Sequence, residues 1–303
     1  MQRAIRDASD YNRGLAPVVR WAHVLLAPLL AWLFAQPRRQ WTLPLALGLL
    51  LVVLLVPFDG PLLTAVERLG IGGDLRRELG AWQQFGALGS LLFTAAAIWL
   101  GDPARRRRLL DLVAAVAVGW SACSVLKVIV GRPRPRPEYR DPHTFLWPWG
   151  QYPVEVADGQ LVLMHAWDPR IAQTADLWSM PSGHTAHAAV LAVFIAALYP
   201  RLRPLMWVMI AIVGFSRLVF GAHWPTDVIA GAAVGIAAGH VATERYWGVR
   251  TLDWFWKRWI DRGCSPALPR VLEAERARRA LPDPAAAAAP PAAPAAHGPG
   301  QRA

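Results

Sequence analysis

Six apolar runs, each near the length of roughly 20 residues that carries a helix across a bilayer, occupy positions 41–57, 82–100, 109–130, 185–199, 205–221 and 228–242. A chain in lipid must satisfy its backbone polar groups within itself, which leaves helices or closed barrels. Runs that are apolar throughout, without strict alternation, select helices. The expected fold is therefore all-α, a polytopic membrane helix bundle with six core transmembrane helices plus interfacial helices. A composition of 54% hydrophobic and 17% charged residues points the same way.

The polar stretches give the organisation. Segment 1–40 carries an apolar stretch at 21–36 containing Pro28; as a seventh crossing it would place the arginine-bearing N-terminus outside, so it is read as an interfacial or re-entrant helix. Residues 41–243 form the six-helix domain. Within it, 58–81 mixes Leu62, Leu63, Val66 and Leu69 with Asp59, Glu67, Arg68, Arg76 and Arg77, the pattern of a helix on the membrane surface. Residues 244–281 supply cytoplasmic amphipathic helices, with Leu252, Phe255, Trp256, Trp259 and Ile260 at helical spacing. The Ala- and Pro-rich 282–303 tail has nothing to bury and is expected to be disordered. The segment 132–180, rich in Trp and Pro, is long for a connection, and loops of that length are usually functional or disordered.

A net charge of +11 raises the question of nucleic acid. The arginines, however, fall in bursts between apolar runs instead of along one face, so no nucleic-acid partner is expected. Arg105 to Arg108, Arg201 with Arg203, and Arg245, Arg250, Lys257 and Arg258 all fall on one side of the six-run arrangement. By the positive-inside tendency that side is cytoplasmic. Both termini then lie there, and 132–180 lies outside. The two cysteines, Cys123 within the third run and Cys264 in the tail, cannot meet, so neither a disulfide nor a thiolate metal site is implied.

Three polar blocks sit at the same, outer end of the runs. The first places Lys127, Arg132 and Arg134 where the positive-inside tendency disfavours cations, as though they held an anion; snorkelling helix-end charges would look the same. The second is Pro181–Ser182–Gly183–His184. Ser182 suits a helix N-cap and Gly183 lets backbone amides approach a ligand, so a phosphate fits the positive helix end. A plain capped helix with an incidental histidine is the alternative. In the third block Arg217 lies in an apolar run and needs a partner, while His223 and Asp227 are four apart around Pro225. The aspartate could orient the imidazole for attack, as in catalytic triads, or the two could be a structural pair.

Taken together, Lys127 with Arg134 and Pro135, the Pro181 to His184 tetrad, and Ser216–Arg217 with His223 and Asp227 resemble the three-part signature of the type 2 phosphatidic acid phosphatase superfamily. The likeness covers roughly 41–242. It implies a six-helix core with the site on the extracytoplasmic face, in a bacterial inner membrane. It further implies that Lys127, Arg134, Arg217, Ser182 and the Gly183 amide bind the phosphoryl oxygens, with His223 as nucleophile, Asp227 as its orienter and His184 as the acid for the leaving group. The implied activity is hydrolysis of a lipid phosphate monoester or diphosphate through a phosphohistidine, with membrane lipids and a phosphorylated lipid substrate as partners. No metal and no other cofactor are expected, because lysine and arginines can supply the charge that phosphoryl transfer needs. Phosphotransfer to a lipid or sugar acceptor and a phospholipid-binding transporter remain the other readings. His187 and His240 are expected to be packing residues, and Asp168 and Asp176 solvated.

Overall fold

The computed structural model describes residues 39–136, 141–156 and 159–280. The expectations for the helix at 21–36 and for the 282–303 tail lie outside the described residues. The helices are α1 (Arg39–Leu55), α2 (Asp59–Arg68), α3 (Gly73–Trp82), α4 (Leu88–Gly101), α5 (Leu109–Val130), the short α6 (Ile171–Thr174), α7 (Gly183–Leu198), α8 (Arg203–Val219), α9 (Pro225–Glu244), α10 (Trp247–Trp259) and α11 (Leu268–Ala280). The described residues are helical as expected, apart from one short antiparallel hairpin, β1 (Tyr152–Glu155) with β2 (Leu161–Met164). It pairs Tyr152 with Met164 and Glu155 with Leu161.

Four helical stretches are long and apolar enough to cross a membrane: Gln40–Arg68, Pro103–Val130, Pro200–Val219 and Pro225–Glu244. Gly73–Gly86 with Leu88–Gly101 adds a fifth only if the pair, bent by 63°, counts as one span. By length the described residues thus support four or five crossings where six runs were read. The shortfall is α7, whose 16 residues rise about 24 Å against a hydrocarbon core of about 30 Å. It is walled by α9, α8 and α5 and buries Ala186, Ala188 to Phe194 and Leu198. The outer helices do the opposite, exposing Leu49, Phe93, Val113 and Trp120. Apolar surface on that scale requires lipid against it, and the chain is an integral membrane protein.

Small residues set the packing of α9. A β-carbon on Gly231 would lie 2.4 Å from the Ser182 carbonyl oxygen, one on Gly235 2.1 Å from that of Ala186, and one on Gly239 2.8 Å from the Val193 β-carbon. Glycine every fourth residue therefore lets α9 close onto the α7 backbone, as small residues do between membrane helices.

The 58–81 segment differs from the expected surface helix. α2 continues the first crossing with only a 3-10 turn at Val56–Phe58 between them, and Asp59 is fully buried. The long 132–180 segment is folded over its own small core of Val154, Met164, Ala166, Ile171 and Leu177. Its two ends are zipped together, the Arg134 amide donating to the Asp176 carbonyl at 2.9 Å and the Ser179 amide to that of Arg132 at 3.0 Å. Asp168 is ion-paired with Arg170, and Asp176 with Arg136.

Candidate active site

Three chain segments meet at one end of the bundle. α5 ends at Gly131, whose left-handed φ of +56° turns the chain away after its amide has bonded the Lys127 carbonyl at 2.9 Å. α7 starts there with Ser182 at its N-cap. α9 starts beside it, with the Ser182 amide donating to the Asp227 carbonyl at 2.9 Å. The arginines of the Pro103–Arg108 turn, of Pro200–Leu202 and of the α9 C-terminus lie at the opposite ends of these helices.

Ser182 holds the cap position without capping. Its side chain makes no bond to the α7 backbone, and its oxygen instead accepts the Thr185 hydroxyl at 3.0 Å. The first-turn amides of α7 are thus left for a ligand, at the positive end of a helix. Lys127 Nζ lies 3.5 Å from where a β-carbon on Gly183 would stand, so the missing side chain leaves the space between ammonium and amides open.

Two arginines of the motifs are each anchored through one nitrogen. Arg134 donates through Nε to the Ala175 carbonyl at 3.0 Å. Arg217 donates through Nη1 to Gln83 Oε1 at 2.5 Å, while its buried Nε has no partner among the described residues. Buried donors are rarely left unpaired, and an anion would satisfy this one. Lys127 is within electrostatic reach of Arg134 and Arg217, and His184 of Arg217, His223 and Lys127. The motif residues named from sequence therefore come together.

Arg132 does not join them. The sequence grouped it with Lys127 and Arg134 as an anion holder, but its side chain is fully buried and spent on carboxylates. Nη1 donates to Asp227 Oδ1 at 2.7 Å and Thr226 Oγ1 at 2.8 Å, and Nη2 to Asp59 Oδ2 and the Pro142 carbonyl, both at 2.6 Å. Phe145 and Trp224 cover its guanidinium.

The His223–Asp227 pairing is looser than expected. Nδ1 of His223 stands 3.6 Å from Asp227 Oδ2, beyond hydrogen-bond length, and has no hydrogen-bond partner among the described residues. Asp227 Oδ2 already accepts the Ser179 hydroxyl at 2.5 Å and the Trp224 amide at 2.8 Å. Burial pushes the His223 imidazole down to about 4, with Asp227 pulling the other way and Arg134 and Arg217 adding to the fall. The ring is therefore neutral at neutral pH, with a lone pair to give. His187 Nε2 is also buried without a partner, and His240 pairs with Glu244 at 2.8 Å at the far end of α9. Among the described residues no three His, Cys, Asp or Glu side chains are grouped to hold a metal ion.

Asp59, Gln83, Thr226 and Ser179 were not singled out from sequence. Each acts through a contact with a distant segment, and none carries a local pattern.

The segment 108–250 matches the model of the PAP2 superfamily. Over 95 residues the chain is 34% identical to the lipid A 4'-phosphatase of Porphyromonas gingivalis, an alignment covering 31% of this chain and 37% of that protein. Over 75 residues it is 40% identical to the lipid A 1-phosphatase of the same organism, covering 23% of this chain and 16% of the relative. The chain thus spans well under half the length of either. The crystal structure of a transmembrane PAP2 type phosphatidylglycerolphosphate phosphatase from Bacillus subtilis aligns with TM-score 0.47 and 20% identity, over 69% of this chain and 96% of that one. The 108–250 segment that matches the PAP2 superfamily model contains all three motif blocks.

Proposed function

We propose that the chain is an integral membrane lipid phosphatase that moves the phosphoryl group of a lipid phosphate monoester or diphosphate to His223 and then to water, with no metal. The observation that carries this reading is the meeting of Lys127, Arg134 and Arg217 with open α7 amides and two histidines. Phosphoryl transfer asks a protein mainly for positioning and for positive charge around the equatorial oxygens. Here Lys127, Arg134, Arg217, the Ser182 hydroxyl and the Gly183 amide supply both.

In the first step His223 Nε2, the nitrogen turned away from Asp227, forms the bond to phosphorus. The phosphorus–oxygen bond to the lipid breaks, and the departing oxygen keeps the electron pair and takes a proton from His184, which enters the step as an imidazolium held by the negative charge of the bound phosphate and leaves it neutral. The imidazole becomes cationic, and Asp227, 3.6 Å from Nδ1, closes onto it. In the second step His184 removes a proton from water, the water oxygen attacks phosphorus, and the phosphorus–nitrogen bond breaks to release phosphate. The arginine-rich opposite end of the bundle supports a cytoplasmic placement of that end, and hence an extracytoplasmic site.

The names of the two relatives make a lipid A phosphate the first substrate to test, beside phosphatidate, phosphatidylglycerophosphate and a polyprenyl diphosphate. Purified protein is expected to release phosphate from one of these in the presence of chelator. Vanadate, which adopts the five-coordinate geometry of the transfer, is expected to inhibit it. Activity that vanishes in chelator and returns with a divalent ion would overturn the metal-free reading.

The α7–α9 contact gives a second expected result. Gly231→Ala drives a β-carbon against the Ser182 backbone, so the first turn of α7 must move. A misplacement near 1 Å costs about 100-fold in rate. Gly89→Ala, with nothing within 4 Å of the added carbon, should leave turnover within about twofold, since surface changes are small in effect. Equal turnover in the two variants would show that the α7 amides are not part of the site.

A further inference from the structure

Asp59 lies outside the 108–250 segment that the family model matches, yet it is built into the floor of the site. Its Oδ2 accepts from Arg132 Nη2 at 2.6 Å and from the Thr226 hydroxyl at 2.5 Å, and its Oδ1 accepts the Thr226 amide at 2.9 Å. Arg132 carries the contact onward to Asp227 Oδ1 at 2.7 Å. Asp59, Arg132, Thr226 and Asp227 are all 0% exposed.

The charge count is the unusual part. Two carboxylates share one guanidinium, so the cluster holds one negative charge in excess, and excess charge in a buried place is costly unless something answers it. Lys127 and Arg134 reach Asp227 electrostatically, but a bound phosphate would claim both. The Ser179 hydroxyl and the Trp224 amide on Asp227 carry no charge, and the titratable group left beside it is His223, 3.6 Å away, which becomes cationic when its other nitrogen bonds phosphorus. If Arg132 faced Asp227 alone, it would neutralise that carboxylate and leave little for the ring.

We propose that Asp59 is a positioning residue for the reaction: by holding half of the Arg132 guanidinium it keeps Asp227 in place and leaves it the negative charge that the His223 ring calls for on phosphorylation. The inference rests on the assignment of His223 as nucleophile. It ties the first crossing, through α2, to the chemistry of α9.

The test is rapid-quench measurement of acid-labile phosphate on the purified full chain, with an aryl phosphate as substrate. Asp59→Asn should slow phosphorylation about 10- to 100-fold, the scale of a lost positioning contact, with half-saturating substrate and vanadate inhibition within about threefold. A merely structural loss would weaken binding along with rate. In an Asp227→Asn background the same substitution should add less than about threefold, because the two act along one path. Phosphorylation at the wild-type rate, or a fully multiplicative loss in the double variant, would overturn the proposal. If Asp59→Asn does not accumulate folded, Asp59→Glu decides. It keeps the charge but moves the carboxylate by one methylene, so phosphorylation should fall at least about fivefold, and a wild-type rate refutes the positioning role. Absence of any phosphoenzyme in the unmodified chain would instead strike at the assignment of His223.

Discussion

His223→Ala should form no phosphoenzyme with any substrate, whereas His184→Ala should form it from an aryl phosphate and then stall. The difference follows from the roles proposed for the two rings. In that proposal His223, a buried ring whose proton affinity is lowered by burial, makes the bond to phosphorus in every case. His184 is then needed for bond breaking only when the departing oxygen is basic. With a lipid alkoxide leaving, His184→Ala should lose about two to four orders of magnitude, the usual worth of general acid–base catalysis. An aryl oxide departs without a proton, so the first turnover should survive as a burst. The second step should then fail, because the proposal gives the same residue the activation of water. Asp227→Asn should weaken the burst without abolishing it. Measuring aryl alcohol and acid-labile phosphate together on the millisecond scale separates these outcomes. A normal burst from His223→Ala would remove that residue from the nucleophile role, and a normal steady state from His184→Ala would assign the proton transfers elsewhere.

Much of the site was readable because its polar residues interrupt apolar runs, and polar residues in a membrane helix are costly enough to mark function. Lys127, the Ser182–His184 turn and Arg217 each stood out for that reason, and the helix ends carried them together. The partners were not readable. Arg132 and Arg134 are two apart in one basic block, and only the fold shows that the first is sealed under Trp224 while the second donates through Nε to the Ala175 carbonyl. Asp59 looked like one more polar residue of a surface helix, because its partner lies 73 positions away. Asp227 showed the right spacing from His223, but nothing in that spacing reveals that Ser179 and Trp224 already occupy Oδ2. The fold shows the same division. Apolar runs marked where helices lie, whereas the glycines at 231, 235 and 239 show their role only in the contact with α7. That α7 is enclosed by protein, and need not be long enough for lipid, follows only from how the others wrap it.

The same buried cluster gives the largest expected effect on stability. Arg132→Ala leaves Asp59 and Asp227 fully buried with no cation between them. Removing one partner of a buried ion pair costs about 3–5 kcal/mol, because the desolvated charge left behind has no compensation. Two such carboxylates here put the expected loss at or above that range, a large share of the about 5–15 kcal/mol that holds a typical domain. Arg136→Ala is the control, since its pair with Asp176 is half exposed on the arginine side and exposed pairs contribute about 0–1 kcal/mol. Arg132→Lys should fall between, because an ammonium keeps the charge but cannot hold two carboxylates through a planar fork. Arg132→Ala with Asp59→Asn should recover part of the loss, having removed one stranded charge. Thermal unfolding of the purified variants in a single detergent orders them: Arg132→Ala lowest, then the double variant, with Arg136→Ala beside the unmodified chain. Arg132→Ala unfolding at the unmodified temperature would mean that Asp59 and Asp227 are not both charged in the folded protein, and the excess negative charge assigned to the site would have to be withdrawn.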